Sequence, residues 1–343
     1  MQSNLDTSSV IDNINILDIA ISNGIDFLYS NQLNCGEFKT LKSSTQQMNS
    51  CYHLHASSPY ITTFVLYSLS FLSHSKVTEM TQKSLNFLIK ELEEPGVWRF
   101  YSQNNRKIKY YNGRFLRDEV GIIPDLDDTA CASYALKSNT INFSNNQAIL
   151  LNQRNEEGIF YTWFLDDYQY ELEQKSSVYL PPYNNICCGV NANILLLLGE
   201  NEATKSVCHY LNNIVVNEQE KYHCAYFPNI FVFYYLLSRA YFNGVRSLNQ
   251  AKNIIVDKIM SDQIKNYLQV PLSNALAICT LFNFGYFTYQ VNDWINRIIY
   301  KQKLNGSWSR YSFFIDAKDH YGSEELTTAI CLEALTRYKQ YSS

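Results

Sequence analysis

The chain has few of the residues that break helices and little charge. Among its 343 residues there are only 12 glycines and 7 prolines, and charged residues make up 17%, below the ~25% typical of soluble domains. The net charge is −4 and no run of Lys and Arg exceeds two residues, so no nucleic-acid-binding surface is expected. No stretch approaches the ~18 uninterrupted apolar residues that a transmembrane helix needs.

Two further features are missing. The first residues, MQSNLDTSSVIDN, contain neither a basic start nor an apolar core, so we expect no secretory signal and a cytoplasmic location. The nine cysteines are irregularly spaced and form no C-x-x-C motif, so we expect reduced thiols and no cysteine-based zinc site.

Aromatic residues, by contrast, are abundant. Hydrophobic residues make up 46% of the chain and aromatic residues 15%, with 27 tyrosines and 19 phenylalanines. Such a composition fits a large cavity lined by rings. An AT-rich genome would also enrich tyrosine, asparagine, isoleucine and lysine, and composition by itself leaves both explanations open.

A turn motif recurs along the chain. Glycine follows the end of a helical segment, and an aromatic residue follows two positions later, at Gly36–Phe38, Gly96–Trp98, Gly158–Phe160 and Gly306–Trp308. In the first and last copies a glutamine precedes the glycine by four positions, at Gln32 and Gln302. Glycine ends a helix in the left-handed conformation, so we expect the ring to pack over the helix end. Trp98 and Trp308 are therefore predicted to be structural.

The apolar periodicity predicts six pairs of helices. The first set, rich in small residues near its N-termini, covers 59–72, 124–137, 188–199, 228–241, 271–285 and 322–338. Its partners cover 12–30, 76–92, 144–153, 201–214, 250–260 and 288–302. Each pair needs neighbours on both sides to bury its apolar faces, and a closed ring provides them. The prediction is an all-α, single-domain (α/α)6 barrel of six inner and six outer helices, spanning residues 1–343.

The stretch PDLDDTA places three carboxylates, Asp125, Asp127 and Asp128, at the start of one inner helix. Acidic residues after Pro124, predicted at the first helical position, suit a helix N-terminus. Asp125 and Asp128 share a face and could hold a metal, but no second acidic cluster lies at that level, with Glu324–Glu325 the nearest candidate. Crowded carboxylates can also keep a proton, which makes a Brønsted acid. The stretch alone leaves the three roles open.

The motif D-x-D-D-T-A at 125–130, in a chain with Q-x-x-x-G-x-W repeats, resembles the class II terpene cyclases, which include the squalene–hopene cyclases. Familiar members have two or three domains, whereas this chain has room for one barrel. It therefore resembles the single-domain bacterial enzymes of the merosterolic acid synthase type.

The resemblance assigns roles to individual residues. It implies that Asp127 donates the proton and that Asp125 and Asp128 support it. The family places a His or Asn of a neighbouring inner helix against the acid. Aligning the helix starts puts Asn191 level with Asp127 and Asn193 level with Thr129; either amide could instead serve the first turn of its own helix.

The implied reaction is an isomerisation by a class II cyclase. The acid protonates a terminal alkene or epoxide of a polyprenyl or prenylated aromatic substrate, and the carbocation then drives ring closure. Water must be excluded and ring faces must stabilise the cation. Candidate cavity residues, each of which could instead belong to the core, are Tyr60, Phe64, Tyr67, Trp163, Phe164, Phe227, Phe231, Tyr234, Phe313 and Tyr321.

Cofactors and partners follow from the same chemistry. No redox cofactor and no protein-held metal are expected, and Mg²⁺ would matter only for a diphosphate substrate. Such a substrate would also call for a basic patch, for which the candidates are Arg99, Lys107, Lys109, Arg114 and Arg117. A lipid-like substrate suggests peripheral membrane contact.

Two alternatives remain. A relative of protein prenyltransferase β-subunits would share the barrel but needs zinc held by Asp, Cys and His; Asp316, Cys331 and His320 are present without the right spacing. A non-catalytic isoprenoid-binding barrel would explain the aromatic residues but not the three aspartates.

Overall fold

The protein is described here by a computed structural model that covers residues 7–49, 54–102, 109–111, 114–116, 123–143, 146–164, 185–261, 267–316 and 318–342. This part of the chain is mostly helical. Its helices are α1 (Thr7–Asn31), α2 (Pro59–Leu69), α3 (Ser75–Glu91), α4 (Leu126–Ser138), α5 (Gln147–Leu151), α6 (Cys188–Leu198), α7 (Lys205–Val216), α8 (Glu220–His223), α9 (Ile230–Phe242), α10 (Asn249–Met260), α11 (Pro271–Asn283), α12 (Gln290–Tyr300) and α13 (Glu324–Ser342).

Six of these helices contact one another in cyclic order. Helix α2 packs on α4, α4 on α6, α6 on α9, α9 on α11, α11 on α13, and α13 returns to α2. These helices are almost entirely buried; every residue of α2, for example, is buried. The main hydrophobic core runs through all six, because each helix is apolar around most of its circumference.

The other long helices are amphipathic and lie against this ring. Helix α3 contacts α2 and α4, α7 contacts α6, α12 contacts α11 and α13, and α1 contacts α13. Their buried positions follow the helical period; in α12 they are Val291, Ile295 and Ile298. The twelve segments predicted as helices are all helical in the structure, with ends shifted by a few residues.

Two details of the predicted helices are wrong. Pro124 is not the first helical residue, because Asp125 occupies the N-cap and its side chain accepts the backbone N–H of Asp128 at 2.7 Å. Pro228 likewise precedes an N-cap, Asn229. In both helices the side chain of the residue after the proline caps the N-terminus, so the first helical residue lies two positions after the proline.

Short strands accompany the helices, which an all-α prediction did not include. Strands β1 (Leu41–Ser43), β2 (Leu54–His55), β5 (Phe314–Asp316) and β6 (Asp319–Gly322) form an antiparallel sheet in the order β2-β1-β6-β5, and β3 (Lys109–Tyr111) pairs with β4 (Arg114–Leu116). Strands β2 and β6 end just before α2 and α13 begin. The four-stranded sheet therefore lies at the N-terminal ends of these two ring helices.

The repeated turns have the predicted local structure. Gly36, Gly96, Gly158 and Gly306 have φ between 81° and 125°. The indole N–H of Trp98 donates to Leu88 O at 2.9 Å, and that of Trp308 donates to Ile298 O at 2.7 Å. Both indoles are fully buried, which agrees with the structural role predicted for them.

The two glutamines of the motif bridge neighbouring helices. The amide nitrogen of Gln32 donates to Gly36 O and to Met80 O in α3. That of Gln302 donates to Gly306 O and to Ala20 O in α1. Each side chain therefore ties its turn to the backbone of the neighbouring helix.

A polar side chain in the ring holds each turn. The aromatic residue of the turn donates its backbone N–H to a side-chain oxygen in the following ring helix, at 3.0–3.2 Å. The four pairs are Phe38–Thr62, Trp98–Thr129, Phe160–Asn191 and Trp308–Thr328. These four ring residues therefore occupy equivalent positions in the repeat.

Gly306 offers a test of the turn. An added Cβ would lie 2.2 Å from Asn23 O, at a φ of +86°, so Gly306→Ala combines overlap with backbone strain and should cost about 2–4 kcal/mol. Gly285 also has a positive φ, +71°, ends α11 with the hydrogen bonds of a left-handed turn and has no atom within 4 Å of the same Cβ, so Gly285→Ala should cost only about 1–2 kcal/mol. Urea unfolding of both variants measures the difference. Equal losses would contradict close packing of the turn.

Two wider observations complete the description. Within the described ranges, no helix combines the length and the apolar character needed to cross a bilayer. Eight of the cysteines are described, all as free thiols, and all but Cys35 are buried.

Candidate active site

The three aspartates lie where α4 begins, inside the ring. Their backbone is anchored to the stretch after Phe160: Leu126 N–H donates to Thr162 O at 2.9 Å, and Asp125 pairs with Trp163 as an isolated β-bridge. Asp125 and Asp128 are 5% and 4% exposed, whereas Asp127 is only partly buried. Of the three carboxyl groups, that of Asp127 is therefore the most accessible from the pocket beside it.

Asp127 is held through both of its oxygens. The Tyr60 hydroxyl in α2 donates to Oδ2 at 2.6 Å, and the Asn193 amide nitrogen in α6 donates to Oδ1 at 2.7 Å. Three ring helices thus fix one carboxyl group. The arrangement limits rotation of the carboxyl and presents it in one orientation.

Burial makes this carboxyl group a weak acid by aspartate standards. Desolvation, with the nearby Asp125 carboxylate, raises the pKa of Asp127 to about 7, although hydrogen bonds from Tyr60 and Asn193 oppose the rise. Near neutral pH a large fraction of Asp127 is therefore protonated, as a proton donor requires.

The pKa values of the two flanking aspartates are raised as well. Burial raises the pKa of Asp125, and its bonds with Asp128 oppose that rise. Burial and the Asp125 carboxylate hold the pKa of Asp128 well above its usual range. One charge on the pair is the stable arrangement, because two buried carboxylates in contact cannot both ionise cheaply.

A pocket opens directly onto these carboxyl groups. Its cavity volume is about 60 Å³, below the usual range of small-molecule sites. It is lined by Tyr60, Phe100, Asp125, Asp127, Asp128, Thr162, Trp163, Val190, Tyr226, Phe227, Phe314, Ile315 and Asp316. Apart from the acidic cluster, the lining is mainly aromatic and aliphatic.

The rings of one wall are packed against one another. Phe314 and Tyr321 stack with centroids 4.9 Å apart, and Phe100 meets them edge-on at 5.4 and 5.3 Å. Tyr60 meets Phe314 edge-on at 5.1 Å. The phenylalanines of this wall offer negative ring faces without a nucleophilic atom, which suits a short-lived cation.

The predicted cavity residues fall into three groups. Tyr60, Trp163 and Phe227 line the pocket. Phe64, Phe313 and Tyr321 are fully buried behind that wall, where Phe313 contacts Phe64 at 4.8 Å and Tyr321 stacks on Phe314. The remaining four are not among the lining residues of this pocket: Tyr67, Phe164, Phe231 and Tyr234.

Asn191 does not occupy the position that alignment of the helix starts gave it. Its amide oxygen accepts the Phe160 N–H, and its nitrogen donates to Phe160 O and Cys187 O. It is the repeat equivalent of Thr129, two residues beyond Asp127, so the alignment was wrong by two positions. Asn193, two residues further along α6, is the residue whose amide donates to the Asp127 carboxyl.

Several residues of the site were not foreseen. Arg239 in α9 is 2% exposed and donates to Asn193 Oδ1 at 2.5 Å. Its signal in the sequence is a single charge inside the apolar helix IFVFYYLLSRAYF. Tyr226 and Phe314 had no detectable signal in the sequence, because neither lies in a segment with helical periodicity. The Tyr226 hydroxyl accepts hydrogen bonds from Asn185 at 3.0 Å and from Trp163 at 3.3 Å.

The zinc trio does not assemble into a site in the described residues, and of the candidate basic patch only the Arg99 side chain is described. Arg99 pairs with Glu93 at 2.9 Å; Lys109 and Arg114 belong to β3 and β4, and Lys107 and Arg117 lie outside the described residues. His320 bonds Ser312, and the Cys331 thiol points to Pro271 O. The described residues include no group of three or more His, Cys, Asp and Glu side chains that could hold a metal.

Comparison with solved structures gives long matches. The ligand-free type II terpene cyclase MstE from Scytonema aligns with a TM-score of 0.66 at 14% identity, over 95% of this chain and 99% of that one. A variant of MstE in complex with geranylgeranyl dihydroxybenzoate, its substrate, gives 0.66 at 14% identity over 95% and 98%.

This chain shares the fold of a type II terpene cyclase. No protein-family model and no curated protein sequence matches it. The likeness to MstE covers nearly the whole of both chains, so the resemblance drawn from D-x-D-D-T-A and the turn repeats is confirmed at the level of fold. The residue roles rest on the geometry of the pocket.

Proposed function

We propose that this protein is a class II terpene cyclase in which Asp127 protonates the terminal alkene or epoxide of a polyprenyl substrate. The observation that carries the proposal is the position of Asp127. Its carboxyl, with a pKa of about 7, faces an aromatic pocket in a chain with the fold of MstE.

The reaction conserves the atoms of the substrate. Asp127 gives its proton to the alkene, the resulting cation is attacked by the next double bond, and a proton is lost from the last cation to a base. The product is an isomer of the substrate. Pocket rings such as Phe100, Phe314 and Trp163 would stabilise the cation by about 1–2 kcal/mol each when desolvated.

We further propose the architecture and partners that this function implies. The cyclic contacts of the six buried helices support a single-domain (α/α)6 barrel. Asp125, as N-cap, and Asp128 would fix the start of the helix that carries Asp127. No redox cofactor is needed for proton transfer, and Mg²⁺ would be relevant only to a diphosphate substrate.

The substrate class is proposed from the mainly apolar pocket and the compound bound to the MstE variant. We favour a prenylated aromatic substrate, with a carboxylate or neutral head rather than a diphosphate. A lipid-like substrate would bring the enzyme into peripheral contact with membranes in the cytoplasm.

The decisive experiment is turnover in D₂O. The purified protein is incubated with geranylgeranyl dihydroxybenzoate, geranylgeranyl diphosphate and squalene, and the products are analysed by mass spectrometry. A cyclase of this type gives a product with the mass of the substrate in H₂O and one mass unit more in D₂O, because the donated proton comes from solvent through Asp127.

The other outcomes separate the alternatives. A product that has lost diphosphate indicates prenyl transfer. Tight binding of all these compounds with no product after prolonged incubation indicates a non-catalytic isoprenoid-binding protein. A cyclised product without deuterium would contradict initiation by Asp127.

A further inference from the structure

Arg239 determines which way the amide of Asn193 points. The guanidinium nitrogen Nη2 donates to Asn193 Oδ1 at 2.5 Å, and Asn193 Nδ2 donates to Asp127 Oδ1 at 2.7 Å. An arginine side chain can only donate hydrogen bonds, so the amide oxygen must face Arg239. The amide N–H group is then committed to Asp127.

The fixed direction of this hydrogen bond determines which oxygen of Asp127 carries the proton. Because Oδ1 accepts from Asn193, a proton on Oδ1 would meet an N–H group. The neutral carboxyl therefore carries its proton on Oδ2, the oxygen 2.6 Å from the Tyr60 hydroxyl. A hydroxyl can donate or accept, so Tyr60 tolerates either state of Oδ2.

The charge of Arg239 is held mainly by ring faces. Its guanidinium carbon lies 4.5 Å from the centroid of Phe64, 4.8 Å from that of Tyr67 and 5.4 Å from that of Tyr235. Among the described residues it forms no ion pair, and its Nε has no hydrogen-bond partner there. A desolvated cation with no counterion favours a negative charge nearby, and the Asp127 carboxyl lies one amide away.

We propose that Arg239 is a positioning residue for Asp127: through Asn193 it keeps the transferable proton on Oδ2 and stabilises the carboxylate left after proton transfer. The inference rests on the proposed function for its consequence in catalysis. The fixed orientation of the amide rests on geometry alone.

The surroundings of the relay contain other ionisable groups. Those that interact with Asp127 or with Arg239 are Tyr60, Tyr67, Asp125, Asp128, Cys131, Tyr134, Cys187 and Tyr235. Burial holds the pKa of Tyr60, Tyr235 and Cys131 well above their usual ranges. These three groups therefore stay neutral through the pH range in which Asp127 titrates.

The test is Arg239→Met, which keeps the bulk and removes the charge and the donors. Asp127 is titrated directly by infrared spectroscopy, through the carboxylic C=O band that is missing from Asp127→Asn. Loss of the cation and of the fixed amide should raise the pKa of Asp127 by about one pH unit. With a substrate, kcat should fall by roughly 10–100-fold with KM nearly unchanged, and the alkaline limb of the kcat profile should move to higher pH.

Matched variants separate this role from a structural one. Arg239→Lys keeps the charge among the rings and should leave the infrared pKa near the wild-type value. Arg337→Met removes another buried arginine, which lies 4.6 Å from Phe71 and bonds Glu333; it should reduce stability without moving that pKa. The same rise in Arg337→Met as in Arg239→Met would overturn the proposal.

A second variant breaks the relay from its other end. Asn193→Leu should raise the pKa of Asp127 by at least as much as Arg239→Met does. The double variant should show little further rise in that pKa, because Arg239 acts through Asn193. The proposal is overturned if the pKa of Asp127 rises in the double variant by the sum of the two single rises, or if it does not rise in Asn193→Leu. This variant also serves if Arg239→Met fails to fold. The infrared titration needs no turnover, so it stands even if the proposed function fails.

Discussion

Replacing Asp127 with asparagine is expected to abolish turnover while the folded protein becomes more stable above neutral pH. The amide cannot donate the initiating proton, so the rate should fall by at least ~10³-fold. The shape of the side chain is kept, and its two neighbours, Tyr60 and Asn193, can bond an amide oxygen and nitrogen. Product formation is measured by mass spectrometry, and secondary structure by circular dichroism.

The gain in stability follows from the direction of the pKa change. Asp127 has a folded-state pKa of about 7, above its ordinary value of 3.8, so the folded state binds the proton more tightly than the unfolded state. This group therefore lowers the stability of the wild type progressively as pH rises from about 4 to about 7. The variant should gain roughly 2–3 kcal/mol more at pH 8 than at pH 5.

The control is Asp316→Asn, which changes a second carboxylate that lines the same pocket. It should retain most of the activity, because Asp316 lies on β5 and not in the relay of Tyr60, Asp127 and Asn193. Urea unfolding at the two pH values completes the comparison. An active Asp127→Asn enzyme would show that another group donates the proton.

Wild-type activity should also decline as pH rises through about 7. Above that value Asp127 is increasingly a carboxylate, and a carboxylate has no proton to give. A rate that increases across this range would contradict the assignment.

The largest loss of stability is expected from Glu333→Met. Glu333 in α13 is fully buried and accepts hydrogen bonds from Ser68 at 3.0 Å, Tyr235 at 2.7 Å and Arg337 at 3.0 Å. Its removal leaves the buried Arg337 cation without its carboxylate partner. Breaking such a pair from one side costs about 3–5 kcal/mol, measured as a shift of the urea midpoint.

The matched variant removes both charges. Glu333→Met combined with Arg337→Met leaves no unpaired ion, and the rings of Phe71 and Phe242, which lie 4.6 and 4.9 Å from the Arg337 guanidinium, can pack on the methionine. The double variant should recover most of the stability. A double variant as unstable as the sum of both single variants would show that the two side chains act independently.

The buried charges cross-link the helices of one part of the ring. Glu333 and Arg337 link α13 to α2, α9 and α11, through Ser68, Tyr235 and Asn283. Arg239 and Asn193 do the same for α9 and α6. The acid therefore sits in a polar network that crosses the helices and holds the carboxyl in place.

The sequence by itself determined the helices and the turns, and it showed where the three adjacent carboxylates lie in the chain. Helical periodicity is a local property, so twelve segments could be placed within a few residues. Glycine in a left-handed turn is also local, and Gly36 and Gly306 were found from spacing alone. The D-x-D-D-T-A motif is local as well, because its three carboxylates are adjacent in the chain, but only the resemblance to class II terpene cyclases distinguished Asp127 among them.

Only the tertiary structure decided what surrounds Asp127. Whether Asn191 or Asn193 faces it depends on how far α6 slides along α4, and the turn bonds of Thr129 and Asn191 fix that offset. Arg239 reaches the site from a helix more than 100 residues away in sequence, through a hydrogen bond that no local pattern encodes. The wall that contains Phe100 and Phe314, with Tyr321 packed behind it, comes from loops and short strands, whose positions depend on the packed ring beneath them.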